Sequence, residues 1–166
     1  MKEINAEEVK DNPFTLIGKD WMLITAEKEG KVNMMTASWG GVGVIWGKNA
    51  ATVYIRQSRY TKPFIDEGET FSLCVLPSEM REVLNFCGSK SGRDFDKVKE
   101  TGLTVEHADS VPYFKESRLV LVCKKMFQQR LDMNNAVDKS LAEKFYGSGD
   151  YHDMYIAEIT KVLIKE

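Results

Sequence analysis

Basic and hydroxyl side chains cluster where a strand-like run gives way to a helix-like one. Residues 56–63 contain two arginines and a lysine, and Ser58 and Thr61 add hydroxyl groups. Helix starts expose N–H donors and the positive end of the helix dipole, and arginine adds paired donors, so this arrangement suits a phosphate group. A solvated basic turn with a helix cap would contain the same residues, and both interpretations stay open.

Two further segments have side chains suited to binding a small molecule. Residues 33–39 (NMMTASW) end a strand-like run; their amide and hydroxyl groups could bond the edge of a heterocycle, and Trp39 could form a flat apolar wall. Residues 87–97 (CGSKSGRDFDK) are small, hydroxyl and basic, and could close over a phosphate or a ring. The alternatives are a strand leaving the core, with Trp39 as ordinary packing, and a flexible surface loop.

Other reactive side chains give little sign of a catalytic centre. His107 and His152 have no partner at a characteristic spacing, although His152 begins the last predicted strand, where it could orient a ligand or donate a proton. No Ser/His/Asp order or carboxylate pair stands out, so we expect no hydrolase chemistry and assign no catalytic residue. Cys74, Cys87 and Cys123 lack metal-ligand spacing, and we predict free thiols, no bound metal and a cytoplasmic location.

Strand-like runs dominate the chain and would position these segments. Residues 21–38 predict a β-hairpin with its turn at 29–31. Further strands are predicted at 51–56, 70–76, 103–107, 117–130 and 151–165. Short helices are predicted after Thr61 as N-cap, at 79–86 after Ser78 as cap, and at 94–101, ending at Gly102. Glycines 40, 41 and 43 are expected to interrupt regular structure.

The order of these elements predicts the fold class. We expect one domain over residues 1–166, because no linker or internal repeat divides the chain. Many strands with only short helices between them do not form a βαβ array. They predict a mainly β fold with short flanking helices, in which a largely antiparallel sheet closes as a barrel. Neither a dinucleotide fingerprint nor a Walker motif is present.

Charge and hydropathy argue against two classes of partner. The 23 Lys+Arg and 25 Asp+Glu residues leave a net charge of −2, whereas a general nucleic-acid binder usually has a clustered basic excess. No segment approaches the ~20 apolar residues of a membrane-spanning helix. The polar N-terminal segment lacks the apolar core of a signal peptide. We therefore expect a soluble protein that binds neither nucleic acid nor membrane.

The three segments, in this order, resemble a known family. They are similar to the flavin reductase-like proteins with an FMN-binding split barrel, and among these to the flavoredoxin type. The similarity extends from about residue 21 to residue 164. Residues 33–39, 54–61 (YIRQSRYT) and 91–97 (SGRDFDK), followed by the run TGL at 101–103, carry it.

The resemblance implies an antiparallel split β-barrel that binds FMN near the interface of a homodimer. Residues of the first segment would hold the flavin ring and its side chain: Asn33, Met35, Thr36, Ser38 and Trp39. The ribityl phosphate would lie among Arg56, Ser58, Arg59 and Thr61. From the third segment, the residues that would approach the cofactor are Cys87, Ser89 and Lys97.

The resemblance further implies an FMN-dependent oxidoreductase, a flavin reductase that takes electrons from NADH or NADPH. Three alternatives stay open: an FMN electron carrier served by a redox protein partner, a non-enzymatic module that stores or senses flavin, and an unliganded structural domain. Burying a phosphate of about −1.5 to −2 charge requires charge-assisted donors. The second segment would supply them.

Overall fold

The computed structural model describes residues 1–166 and consists mainly of β-strands. The ten strands are β1 (Lys2–Ile4), β2 (Met22–Lys28), β3 (Lys31–Ala37), β4 (Gly40–Ile45), β5 (Lys48–Arg56), β6 (Thr70–Val75), β7 (Val105–Ala108), β8 (Val111–Phe114), β9 (Leu119–Arg130) and β10 (His152–Ile164). The five short α-helices are α1 (Pro13–Thr15), α2 (Lys62–Glu67), α3 (Arg81–Ser89), α4 (Lys97–Thr101) and α5 (Ser140–Tyr146).

Eight of the strands form one antiparallel sheet. Its order is β3-β2-β6-β9-β10-β5-β4, and β1 pairs with the far end of β10. Strands β7 and β8 form a separate hairpin. Ser38 and Trp39 alone connect β3 to β4, so the two ends of the sheet order meet at one corner and the sheet must curve. No ladder joins β3 to β4, so the pairing stays open there and does not form the predicted closed barrel.

The predicted β2–β3 hairpin is confirmed. Its register pairs Met22 with Ala37 and Lys28 with Lys31. Glu29 and Gly30 form the turn with φ of 51° and 75°. Positive φ at both central residues matches the right-handed twist of the flanking strands. This hairpin delivers the end of β3, and with it residues 36–39, to the open corner of the sheet.

Each face of the sheet packs its own apolar cluster. Neighbouring residues of a strand point to opposite faces. Accordingly, Leu23 of β2 and its register partner Cys74 of β6 belong to the smaller cluster, which also contains Leu84 of α3. The next residue, Ile24, and its partner Leu73 belong to the larger cluster. Because an apolar cluster packs on each face of the sheet, the face to which each side chain of a strand points is fixed, up to the end of the strand.

A buried ion-pair network fastens the start of α2 to β10. The Lys62 ammonium lies 2.7 Å from Asp153 and 2.6 Å from Asp66, and it donates to the Tyr155 hydroxyl at 3.0 Å. Burial alone would raise the pKa of Asp153, but hydrogen bonds from Lys62 and Arg130 outweigh this and hold it at about 2. These contacts to β10 therefore hold the turn between β5 and α2 in place.

Several local predictions are wrong for identifiable reasons. Glycines 40, 41 and 43 lie within β4 rather than breaking structure. A Cβ at Gly40 would approach the Thr52 carbonyl oxygen to 2.8 Å, so the glycine permits this strand contact. Thr61 is the N-cap residue of α2, as predicted, although its side chain forms no capping hydrogen bond. Ser78 lies in a short 3-10 turn and does not cap α3, which begins at Arg81. Helix α3 continues to Ser89, and α4 begins only after Asp96, which does cap it.

Two global properties of the sequence can be compared with the structure. No helix has both the length and the apolar character needed to cross a membrane. All three cysteines are buried as free thiols, as the sequence predicts.

Candidate functional site

The three segments singled out in the sequence meet around two adjoining clefts. The end of β3 contributes the first segment, and the turn after β5 contributes the second. The last turn of α3, the following loop and the start of α4 contribute the third. Met35 and Arg59 line both clefts, so the clefts are parts of one continuous site.

The first cleft, here called the aromatic cleft, has a volume of about 200 Å³. Thr36, Ser38 and Trp39 come from the first segment, and Tyr54 and Arg56 from β5. The remaining residues of its lining are Met35, Ala37, Arg59 and His152. Four polar groups of its lining residues have no hydrogen-bond partner in the chain: the hydroxyls of Ser38 and Tyr54, the indole N–H of Trp39 and Nε2 of His152. The cleft therefore offers a flat wall together with free polar groups.

The second cleft, here called the cationic cleft, has a volume of about 130 Å³ and no acidic residue in its lining. Its four cations are Arg59, Lys90, Arg93 and Lys97. Its aliphatic hydroxyls are those of Ser58, Thr61, Ser89 and Ser91. The hydroxyls of Ser58 and Ser89 already donate to Asp150 and to the Asn85 carbonyl, whereas those of Thr61 and Ser91 only accept within the chain and can donate to a ligand. Positive charge beside free hydroxyl donors is the arrangement that binds an anion.

The cations of this cleft are paired only with neutral groups. Arg59 donates to the Gly88 carbonyl at 3.0 Å, and Arg93 to the Ser58 carbonyl at 3.2 Å. Lys97 donates to the Cys87 carbonyl at 3.1 Å. None of the four cations forms a salt bridge, whereas ten such contacts exist elsewhere in the chain. The positive charge of the cleft is not neutralised within the protein.

Lys97 is the most informative of these cations because it is only 4% exposed. Burial lowers its pKa to about 8, and the nearby Arg59 guanidinium acts in the same direction. Lys62 is equally buried, but its carboxylate partners raise its pKa instead. A buried ammonium without a counterion is costly. An anion bound in the cleft would remove that cost.

The phosphate interpretation of the second segment therefore stands on side chains rather than on a helix start. The N–H of Lys62 donates to the Arg59 carbonyl, and that of Phe64 to the Thr61 carbonyl. Pro63 has no N–H. The first N–H groups of α2 are thus unavailable to a ligand, contrary to the sequence-based expectation.

The two arginines predicted around one phosphate lie in different surroundings. Arg59 lines both clefts, but Arg56 lines only the aromatic cleft. The Arg56 guanidinium donates to the carbonyls of Asp150 at 2.6 Å and Phe145 at 3.2 Å. The Asp150 carboxylate in turn accepts from the N–H and the hydroxyl of Ser58. Arg56 and Asp150 together fasten the segment after α5 to the turn after β5.

His152 enters the site through the ladder between β5 and β10, where it pairs with Arg56. Its ring lies 5.0 Å from that of Trp39, and its Nδ1 is 2.8 Å from the Tyr146 hydroxyl. Burial, helped by the Arg56 charge, lowers its pKa to about 4. His152 is thus neutral at pH 7. It can orient a ligand, but it is not protonated to act as the proton donor considered from the sequence.

Two predicted site residues support the clefts without lining them. Asn33 is buried and donates from Nδ2 to the Thr61 hydroxyl at 2.8 Å. A Cβ at Gly92 would meet Asn33 Oδ1 at 2.2 Å, so the third segment crosses directly over this amide. Cys87 is buried within α3, and its carbonyl accepts a hydrogen bond from Lys97. Burial raises the thiol pKa to about 11, which keeps the thiol neutral.

The remaining predicted residues do line the site, and some lining residues were missed. Those predicted and brought together are Met35, Thr36, Ser38, Trp39, Arg56, Ser58, Arg59, Thr61, Ser89 and Lys97. Those missed are Ala37, Tyr54, Tyr60, Lys90, Ser91, Gly92 and Arg93. Tyr54 lies two residues before Arg56 on the same strand face, a spacing that would have identified it. All of them, Tyr54 included, lie inside the segments 33–39, 54–61 and 87–97 singled out in the sequence.

Burial of neutral His152 predicts a pH-dependent stability. Between pH 6.5 and about 4 the unfolded chain binds a proton at this ring that the folded chain does not bind. The free energy of unfolding should therefore fall as the pH drops through this window, by roughly 3 kcal/mol from this group. Urea denaturation at several pH values should show a shallower fall for His152→Phe. The same difference should persist when His107, the other histidine, is replaced by Gln; equal slopes with and without His152 would contradict its neutral burial.

Comparisons with known proteins place this fold. Flavoredoxin from Methanosarcina acetivorans is 23% identical with a TM-score of 0.71, covering 97% of this chain and 77% of that chain. An FMN-binding protein from Thermus thermophilus, with bound p-hydroxybenzaldehyde, is 18% identical with a TM-score of 0.71, covering 100% and 83%. The flavin reductase of styrene monooxygenase from Pseudomonas putida S12 is 14% identical with a TM-score of 0.66, covering 89% and 80%. At these identities the likeness establishes the fold.

The sequence itself decides the family. No curated protein matches the chain significantly. The family model described as "Flavin reductase like domain" matches residues 16–166, which include every residue of both clefts. The family predicted from the sequence motifs is confirmed: the chain belongs to the flavin reductase-like domain family.

Proposed function

We propose that the two clefts together bind FMN and that the protein is an FMN-dependent oxidoreductase. The phosphate occupies the cationic cleft and the ring system the aromatic cleft. One observation carries the proposal: a group of cations without carboxylate partners adjoins a cleft with an aromatic wall. Membership of the flavin reductase-like family and the FMN-binding relatives support the choice of flavin over other phosphorylated ligands.

The residues present fit such a ligand in chemistry. Lys97, Arg59 and Arg93 supply charge-assisted donors for a phosphate dianion. Trp39 supplies an apolar surface for a ring, and the free groups of Ser38 and Tyr54 supply hydrogen bonds to its polar edge. Thr36 can only accept, because its hydroxyl proton is donated to the Leu84 carbonyl at 2.6 Å. The pocket needs no protein nucleophile, since a bound flavin supplies the redox chemistry.

The reductant in this proposal is NADH or NADPH, as in a flavin reductase. His152 and Arg56 lie on the aromatic cleft, where a neutral imidazole and a guanidinium can orient a reductant. The second candidate is an electron carrier of the flavoredoxin type, favoured by the likeness to flavoredoxins from two organisms. A carrier would use the same cofactor site but would take electrons from a protein partner.

We propose further that the protein is a homodimer. The supporting observation is an apolar surface on the edge strand β4 and beside it, where Val44 is 73%, Trp46 60% and Phe127 39% exposed. Trp46 and Phe127 lie 6.3 Å apart. Exposed aromatic residues clustered beside an unpaired strand edge mark an interaction surface.

Replacing Lys97 tests the phosphate site. Lys97→Met removes a buried charge and fills the same space, so the fold should survive, while one charge-assisted bond to the phosphate is lost. FMN affinity should fall about tenfold or more, whereas affinity for riboflavin, which has no phosphate, should change by less than about twofold. Quenching of flavin fluorescence measures both.

The matched control for this substitution is Lys99→Met. Lys99 lies on the same short helix but is exposed and outside both clefts. It should leave both affinities unchanged. If Lys97→Met weakens FMN and riboflavin equally, the phosphate does not lie in the cationic cleft.

Anaerobic mixing of the FMN-loaded protein with a nicotinamide nucleotide separates the two functional candidates. A flavin reductase should lose its oxidised flavin absorbance within seconds of adding NADH or NADPH. Removing the neutral imidazole from the aromatic cleft in His152→Phe should slow this reduction without preventing FMN binding. Failure of both nucleotides, with reduction by dithionite intact, would contradict the reductase proposal and leave the carrier.

Sedimentation analysis tests the homodimer. The wild-type protein should sediment as a dimer at micromolar concentration. Val44→Lys places a charge in the proposed interface and should shift the protein towards monomer. Val137→Lys, at a site 99% exposed and outside that surface, should remain dimeric. A monomeric wild-type protein would contradict the proposal.

A further inference from the structure

An uncharged groove opens beside the aromatic cleft on the side away from the cationic cleft. Its volume is about 530 Å³, and it lies between residues 13–18 and residues 38–42. Ser38, Trp39 and Tyr54 line both this groove and the aromatic cleft. The two spaces therefore share one wall and adjoin each other.

The lining of the groove determines which ligands it suits. Pro13, Phe14, Ile17 and Val42 supply apolar surface, and three glycines leave the floor open. No acidic, basic or imidazole side chain is present. Its polar side-chain groups are the hydroxyls of Ser38 and Tyr54 and the indole N–H of Trp39, none of which has a partner in the chain. The groove therefore offers apolar contact and a few hydrogen bonds, but no compensation for a charge.

Size and exposure favour a small molecule. The volume falls within the ~300–1,000 Å³ range of small-molecule pockets. Phe14 is 86% exposed and Trp39 is 41% exposed, so each presents an aromatic face that a flat ligand would cover. A dinucleotide is poorly suited to this space, because its diphosphate would find no cation in the lining.

We propose that this groove binds a neutral, largely apolar ring compound that carries one carbonyl or hydroxyl group. The ring lies between Phe14 and Trp39, and the oxygen bonds the hydroxyl of Ser38 or Tyr54. That this ligand lies next to a flavin rests on the proposed function. Binding in the groove itself does not, because the groove is formed by the chain alone.

Two probes of the same shape test whether the groove prefers a neutral ligand to a charged one. 2-Acetylnaphthalene is neutral and has a carbonyl group, and 2-naphthoate replaces its methyl ketone with a carboxylate. Equilibrium dialysis measures the affinity of each probe, first for the flavin-free protein and then for the FMN-loaded protein. The neutral ketone should bind at least about tenfold more tightly than the carboxylate.

Glycine substitutions test the location. A Cβ built at Gly18, Gly41 or Gly43 meets no atom within 4 Å, so larger side chains fit without strain on the fold. Gly18 and Gly41 line opposite walls of the groove, whereas Gly43 lies two residues further along β4 and outside it. Gly18→Leu or Gly41→Val should fill the groove and weaken ketone binding about tenfold. Gly43→Val is the matched control and should bind like the wild type.

The outcomes separate this inference from the proposed function. If FMN binds but the ketone affinity is unchanged in both groove variants, the groove is not the ligand site and the inference fails alone. If the ketone binds as expected while FMN does not, the proposed function fails alone. If Gly41→Val changes the sedimentation of the protein and the wild type binds no ketone, the groove is covered by a second copy and the inference is wrong.

Discussion

Two buried lysines of this chain face opposite electrostatic conditions, and the rest of the site follows from the difference. Lys62 is surrounded by Asp66, Asp153 and the Tyr155 hydroxyl, and its charge is neutralised within the fold. Lys97 is as deeply buried but contacts only a backbone carbonyl. A protein does not hold an unpaired ammonium out of water without cost. The first lysine stabilises the chain, and the second is suited to an anion from outside it.

The two lysines lie at the starts of different helices, Lys62 on α2 and Lys97 on α4, so they have different neighbours. The Lys62 network ties α2 to β10 and thereby fixes the preceding turn, which carries Arg59. Arg59 then faces the cations of the third segment across the cationic cleft, with no carboxylate between them. Because β3 ends at the same corner, the aromatic wall of Trp39 lies beside this charge. One rigid scaffold thus brings an anion site and a flat apolar site into contact.

Much of this arrangement could be predicted from the sequence, and the failures have physical causes. The β2–β3 hairpin and the long strands β9 and β10 were predictable because alternation and β-branched residues report directly on strands. Strand β4 was missed because its glycines usually interrupt strands, whereas here Gly40 allows close approach to the Thr52 carbonyl. Thr61 occupies the predicted N-cap position of α2, but its hydroxyl accepts from Asn33 instead of from its own helix. Ser78 does not cap α3, because a 3-10 turn at Ser78–Met80 precedes that helix.

The site was predictable as three segments but not as a geometry. Residue types identified the basic turn and the aromatic end of β3, yet only the fold shows that Arg56 bonds carbonyls at the end of α5 and in the loop after it, while Arg59 reaches both clefts. Burial of Cys87, and the role of its carbonyl rather than its thiol, depend on helix α3 extending further than its sequence suggests.

The ionisation state of the bound phosphate tests the central claim most directly. In water the dianion of a phosphomonoester takes up a proton at about pH 6 and becomes a monoanion. Surrounded by Lys97, Arg59 and Arg93, the phosphate of bound FMN should remain a dianion well below that value, so its ³¹P resonance should stay constant from about pH 8 to about pH 5. A resonance that titrates near pH 6, as in free FMN, would place the phosphate in solvent and contradict the account.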